Sequence, residues 1–150
     1  MVRRTCFALV CALLLMVSGT PVTPVLASPG PASAAPVPAP IVEPPAGNHF
    51  AFGYCTWYVA TRRNIPWFGN AIDWWPNARA YGYAEGQVPV VGAVMVTRES
   101  KLGHVAYVES VGPDGSWTVS EMNYVRWNVT SRRVLRPGQT SVVGFIYGRT

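Results

Sequence analysis

The stretch HVAYVESVGPDGSWTVSEMNY (His104–Tyr124) decides the fold of this chain. Its centre, GPDG at Gly112–Gly115, is typical of a tight turn, because Pro113 presets φ and the Asp-Gly pair that follows tolerates left-handed geometry. The flanking segments His104–Val111 and Ser116–Tyr124 are rich in valine and aromatic residues, which favours strands. The stretch therefore predicts an antiparallel β-hairpin.

The hairpin brings three polar side chains together. Side chains alternate between the two faces of a strand, and directly opposite residues share a face. If Val111 lies opposite Ser116, the register continues until His104 faces Asn123, and Glu121 points to the same side. A one-residue slip or a bulge would break this arrangement.

The rest of the domain adds helices before the hairpin and strands around it. We predict a helix over Gly53–Arg63, where Arg62 and Arg63 complement the C-terminal dipole, and a short helix around Ala71–Ala80. Further strands are predicted over three segments: Val88–Thr97, Arg132–Leu135 and Ser141–Gly148. Helices followed by an antiparallel meander indicate an α+β fold, in which N-terminal helices, the first carrying Cys55, pack on an antiparallel sheet.

The N-terminus has the pattern of an export signal. Arg3 and Arg4 precede an apolar segment, Cys6–Val17, which is shorter than the ~20 residues that span a bilayer. We therefore predict a signal peptide at residues 1–27, with a retained N-terminal anchor as the alternative. This predicts a protein that is secreted or held at the cell wall and has no membrane contact after cleavage.

A Pro- and Ala-rich segment, residues 28–47, is read as a semi-rigid linker, which leaves one domain at 48–150. Without Arg3 and Arg4 the formal net charge falls from +5 to +3. A modestly basic domain suits an anionic cell wall, among other partners. The lack of a basic run argues against nucleic acid, and we expect a monomer.

Three cysteines occur in the sequence, and two of them, Cys6 and Cys11, lie in the predicted signal. Cys55 is then the only cysteine of the predicted exported domain, so it cannot form a structural disulfide within it. It is either a buried inert thiol, an intermolecular linker or a nucleophile.

The interpretation of Cys55 as a nucleophile depends on its position in the chain. Cys55 lies at the predicted helix start, where the dipole and a nearby imidazolium favour a thiolate and backbone N–H groups can hold an oxyanion. His104 is the candidate base, and Glu121 or Asn123 would orient its ring. Taken singly, each of these three residues is better explained by an ordinary role: His104 as a hydrogen-bonded strand histidine, and Glu121 and Asn123 as side chains on a solvent-facing surface of the sheet. Only their coincidence with Cys55 favours the catalytic interpretation.

Five segments, in order along the chain, resemble the motifs of the CHAP family (cysteine, histidine-dependent amidohydrolases/peptidases). They are GYCTWYVATRR, WFGNAIDWWPNA, PVVGAVMV, GHVAYVESV and SEMNY. The resemblance covers about residues 48–147 and implies a papain-like α+β fold with Cys55 as nucleophile, His104 as base and the Glu121/Asn123 pair as ring orienters. It further implies cleavage of peptidoglycan by an N-acetylmuramoyl-L-alanine amidase or a stem or cross-bridge endopeptidase.

The sequence departs from the family pattern in two places. Tyr54 stands where members often have Gln, which puts a side-chain contribution to the oxyanion hole in doubt. The segment before Cys55 has no carboxylate of the kind that binds calcium in some members, so no metal or other cofactor is expected. His49 in that segment is read as a surface residue.

Two interpretations of the exposed-looking aromatic residues remain open. Trp67, Trp74 and Trp75 lie in a Gly/Asn/Pro-rich stretch and, with Tyr54, are candidate walls of a substrate groove. The alternative is packing, which accounts for most Trp side chains in a small domain.

The sequence as a whole predicts a secreted thiol hydrolase that acts on peptidoglycan through a thioacyl intermediate. The first alternative is a non-catalytic wall-binding module with the same fold. The others are a transferase, in which an amine accepts the acyl group, and a structural secreted protein with a buried Cys55.

Overall fold

The computed structural model describes residues 47–149. The predicted signal peptide and all but the last residue of the predicted linker lie outside the described residues. The helices are α1 (Cys55–Arg62) and α2 (Trp74–Ala80), the latter preceded by a 3₁₀ turn at Ala71–Asp73. The strands are β1 (Tyr83–Gly86), β2 (Val94–Thr97), β3 (His104–Val111), β4 (Trp117–Met122), β5 (Thr130–Leu135) and β6 (Val142–Arg149).

The strands form one six-stranded antiparallel sheet in the order β1-β6-β2-β3-β4-β5. Strands β2 to β5 form the predicted meander. Strand β6 then returns to the other side of β2, and β1 lies beyond it. The predicted α+β fold is confirmed, with one strand, β1, that the sequence did not predict.

The sheet carries apolar side chains on both faces, which explains the unbroken apolar sequence of β2. Val94 and Val96 pack with the helices, whereas Met95 between them packs on the opposite face with Ala106 and Phe145. Because both faces are covered, the alternation of apolar and polar residues that marks a half-exposed strand is absent.

The predicted strand at Val88–Thr97 was too long. Only Val94–Thr97 is strand, because Pro89 has no N–H to donate and Gly92 has a φ of +84° that turns the chain. Val88 and Val91 are exposed.

The β3–β4 hairpin differs from the predicted register at its turn and matches it farther along. Val111 pairs with Trp117 rather than with Ser116, so the prediction was wrong by one residue there. A bulge between Val108 and Ser110 removes the offset, and Tyr107 pairs with Ser120 as predicted. The bulge therefore cancels the one-residue difference at the turn before the strand reaches His104.

Helix α1 is tied to the sheet at its C-terminus. Arg63, which follows the helix and is buried, donates hydrogen bonds to the carbonyls of Ile146 (3.0 Å) and Tyr147 (2.6 Å) on β6 and of Gly92 (3.0 Å). Hydrogen bonds from a charged donor contribute about 1.5–3 kcal/mol each. They fix the helix that carries Cys55 relative to the sheet that carries His104.

Candidate active site

Cys55 is the first residue of α1. Tyr54 before it is extended (φ −103°, ψ 161°), and no side chain caps the helix. The first N–H groups of a helix have no partner within the helix, so those at this end are available to a ligand. Cys55 is a free cysteine, and the residue as a whole is 8% exposed.

His104 is the first residue of β3, and its position depends on Gly103. Gly103 has a φ of +74°, and an added Cβ there would lie 2.5 Å from the backbone nitrogen of Ile72. Ile72 lies in the 3₁₀ turn and donates a hydrogen bond to the Leu102 carbonyl at 2.9 Å. The glycine before His104 thus permits a turn and a close backbone approach that no other residue fits.

The His104 ring is held between two groups. Its Nε2 lies 2.9 Å from Oε2 of Glu121, and because a carboxylate only accepts, Nε2 is the donor. The other ring nitrogen, Nδ1, is the one free to interact with Cys55, which lines the same pocket and contributes to the pKa of the ring. Burial lowers the pKa of His104, but hydrogen bonds and charge from Cys55 and Glu121 outweigh it and raise the pKa from 6.5 to about 9.

Glu121 has no solvent exposure, and a second cation neutralises it. Arg133 on β5 donates from Nε to Oε1 at 2.7 Å and from Nη2 to Oε2 at 2.9 Å. Burial raises the pKa of Glu121, whereas the contacts with His104 and Arg133 lower it more, so the pKa is below its usual range. Sequence reasoning missed Arg133, because the loop before β5 hides the register that places it opposite Val119.

Asn123 lies at the site but does not hold the ring. It follows β4 with a φ of +61°, and its N–H donates to the Val129 carbonyl at 3.1 Å. Among the contacts described for residues 47–149, its side chain makes no hydrogen bond to His104. Of the two predicted orienters, Glu121 is therefore the one that contacts the imidazole.

An open pocket of about 510 Å³ lies over the Cys55 and His104 side chains. Cys55, His104 and Asn123 line it together with Tyr54 and Tyr124. Tyr54 is 47% exposed, so it remains a candidate for substrate contact.

The predicted role of the tryptophans in a groove is corrected by the structure. Trp67 and Trp74 are 1% and 0% exposed and pack against each other in the hydrophobic core beneath the sheet. Trp75 is partly buried against the same core, with its ring over Gly144. These side chains do not line the pocket. Trp67 packs into the core from the irregular segment after α1, and Trp74 and Trp75 begin α2, which packs on the sheet.

His49 is exposed, as expected for a surface residue, and its Nε2 lies 2.8 Å from the Trp67 carbonyl. Within residues 47–149, no group of three His, Cys, Asp or Glu side chains is arranged to hold a metal ion. None of the helices in the described part of the chain has the length and apolar character needed to cross a membrane.

Comparisons with known proteins point in one direction. A family model described as CHAP domain matches residues 45–123. "Probable autolysin LDP" of Staphylococcus aureus (strain NCTC 8325 / PS 47) is 42% identical over 105 residues, which is 65% of this chain and 37% of that relative. "Staphylococcal secretory antigen SsaA" of the same strain is 39% identical over 104 residues, covering 67% and 41%.

Among solved structures, the chain is similar to a crystal structure described as N-acetylmuramoyl-L-alanine amidase from Staphylococcus aureus. The TM-score is 0.58 at 29% identity, over 65% of this chain and 31% of that chain. The chain spans about two fifths of the length of the curated relatives named above.

Proposed function

Because this chain belongs to the CHAP domain family, whose model matches residues 45–123, we propose that it hydrolyses an amide bond of peptidoglycan through a thioacyl intermediate on Cys55. The observation that carries the proposal is the position of the His104 ring, hydrogen-bonded to Glu121 and facing the free thiol at the start of α1. Relatives named as an autolysin and an amidase support the choice of substrate.

The first half of the reaction forms the intermediate. The Cys55 thiolate attacks the amide carbonyl carbon, and the carbonyl π electrons move to oxygen. Unpaired N–H groups at the start of α1 stabilise this oxyanion. His104 then gives its Nδ1 proton to the amine as the C–N bond breaks, leaving a thioacyl enzyme and a neutral imidazole.

The second half releases the acid. Neutral His104 takes a proton from water, the hydroxide attacks the thioester carbonyl, and the C–S bond breaks to regenerate the thiolate. With a pKa of about 9, His104 is an imidazolium at neutral pH and is ready to act as the acid of the first half. Glu121 holds the ring and stabilises its charge.

The substrate and setting extend the same proposal. The bond cut is that of an N-acetylmuramoyl-L-alanine amidase or of a stem or cross-bridge endopeptidase, and Tyr54 contacts the bound wall fragment. The chain is exported by a signal peptide at residues 1–27, carries a linker at 28–47 and acts as a monomeric domain at 48–150, secreted or at the cell wall. A relative named as a secretory antigen supports export.

The test is digestion of purified peptidoglycan by the wild-type chain and by Cys55→Ala. The variant should lose activity by about 1,000-fold or more, because the nucleophile cannot be replaced. Thr61→Ala is the matched control, since Thr61 is an exposed residue of the same helix. Mass spectrometry of the new amino ends identifies the bond. Wall binding without new ends, or Cys55→Ala that keeps activity, would contradict the proposal.

A further inference from the structure

Arg133 lies directly behind the residue that orients the imidazole. Two of its nitrogens, Nε and Nη2, donate to the two oxygens of Glu121 at 2.7 and 2.9 Å. A guanidinium matches a carboxylate in this two-point geometry and fixes both its position and its rotation. The Glu121 oxygen that faces His104 is therefore held in place from the other side.

Arg133 is itself held. Nη1 and Nη2 donate to the two oxygens of Glu99 at 2.7 and 3.0 Å, and the Tyr124 ring covers the guanidinium at 3.5 Å. Burial raises the pKa of Glu99, but hydrogen bonds from Arg133 and Thr97 lower it to about 2. Glu99 is thus a permanent anion that prevents Arg133 from leaving Glu121.

We propose that Arg133 is a positioning residue that keeps Glu121 ionised and aligned while His104 is neutral, and that Glu99 anchors it. The inference rests on the function proposed above. After His104 has given its proton to the leaving amine, the imidazolium that neutralised Glu121 is gone. Arg133 is then the cation that remains against this buried carboxylate, so the neutral imidazole can act as a base toward water.

The groups that face this site come from several elements. Cys55 on α1 faces His104, and Glu99 from the turn after β2 faces Arg133. Ser131 on β5 donates to Oε1 of Glu121 at 3.4 Å. With these groups in place, loss of the cation at position 133 makes a proton on the His104–Glu121 pair harder to remove.

The experiment compares Arg133→Met and Arg133→Lys with Arg132→Met as the matched control. Arg132 is an exposed arginine of the same strand, and its variant should behave as wild type. The His104 ring is followed by NMR titration without substrate, and its midpoint should move up by about one pH unit in Arg133→Met. A merely loosened site would admit water and move the midpoint down toward 6.5, which would overturn the inference.

Kinetics supply the second readout. Arg133→Met should lower kcat by about tenfold or more with KM changed by less than about threefold, and thioacyl enzyme should accumulate. Arg133→Lys should recover part of the loss. In a Glu121→Gln background, Arg133→Met should change kcat by less than about threefold, because its action passes through that carboxylate. An equal loss in both backgrounds would contradict the inference.

The two proposals fail separately. If the wild-type chain does not cut peptidoglycan, the proposed function is wrong, and the NMR titration alone decides the role of Arg133. If the wall is cut and Arg133→Met is as active as wild type, the role of Arg133 is wrong and the proposed function stands.

Discussion

Strands β3, β4 and β5 carry an arginine–carboxylate ion pair at each of their two ends, in different surroundings. We call the end near the Gly112–Gly115 turn the turn end and the end near His104 the site end. At the turn end, Arg136 Nη2 lies 3.2 Å from Asp114 Oδ2, and the side chains are 60% and 53% exposed. At the site end, Arg133 Nε lies 2.7 Å from Oε1 of Glu121, whose side chain is 0% exposed. Water screens the first pair, whereas the second acts where screening is weak.

The pKa values alone would hide this difference. Hydrogen bonds from Ser116, and then from Arg136, lower the pKa of Asp114 to about 2, the same value as that of half-buried Glu99. The Asp114 side chain is exposed to water, which screens its charge, so the shift carries little stability. In this molecule, therefore, burial determines the effect of a charge more than the ion pairing itself does.

Among the substitutions that compare the two ends, Glu121→Gln at the site end is expected to have the largest effect. The amide can still accept from His104 but carries no charge to stabilise the imidazolium, so peptidoglycan cleavage should fall by about 100-fold or more. Initial rates on purified wall measure this effect. A variant within about threefold of wild type would show that the buried carboxylate does not act on the ring.

The second largest effect is expected when a glycine near each end is replaced by alanine. Gly53 has a φ of +89°, and an added Cβ would lie 2.7 Å from the Trp127 ring; Gly115 has a φ of +76° and open space around it. Gly53→Ala should lower the free energy of unfolding by about 1–3 kcal/mol and activity by about tenfold, since Cys55 lies two residues on. Gly115→Ala carries only the backbone strain, about 1 kcal/mol.

Urea unfolding and wall-clearing rates measure the two glycine variants. Equal losses of stability, or full activity of Gly53→Ala, would remove the distinction between the two ends.

The third effect is on the pH dependence of stability. The folded pKa of His104 is raised from 6.5 to about 9, so its stabilisation is complete below about pH 6.5 and is lost as pH rises through about 9. The folded pKa of Glu99 is lowered from 4.5 to about 2, so the stabilisation from Glu99 is complete above about pH 4.5 and is lost as pH falls through about 2.

Thermal unfolding should therefore give the highest Tm between about pH 4.5 and 6.5. His104→Gln should remove most of the decline on the alkaline side. A wild-type Tm that stays constant from about pH 6.5 to 9 would contradict the assignment.

The smallest effect is expected at the turn end. Asp114→Asn keeps the side-chain oxygen that accepts hydrogen bonds from Ser116 at 2.6 and 3.1 Å and removes only a screened charge. We expect neither Tm nor wall cleavage to change measurably at physiological salt. A loss comparable to that of Glu121→Gln would mean that the exposed pair is coupled to the site.

The sequence predicted the parts that depend on local signals. Turn chemistry at Gly112–Gly115 and the flanking strand residues place the hairpin, and the helix over Gly53–Arg63 appears as α1. The predicted meeting of His104 with Glu121 is present, although the register at the turn differed by one residue. A bulge leaves no local signature of the kind a turn does, so this cancellation was not predictable.

The parts that sequence reasoning missed depend on long-range packing. Trp67 and Trp74 look like groove residues in their polar stretch, yet both pack into the core, Trp67 from the irregular segment after α1 and Trp74 from the start of α2. Arg133 reaches Glu121 because of a β4–β5 register that follows a loop with left-handed Asn123 and Asn128. No periodicity in the sequence encodes that loop.

The bulge at Glu109 gives the hairpin a practical use. Strand β3 has eight residues, so about 25 Å separates the GPDG turn from His104. The irregular step lies between the two, and exposed turns accept added residues well. A fluorophore or affinity handle inserted at the turn should therefore leave the contact between His104 and Glu121 unchanged.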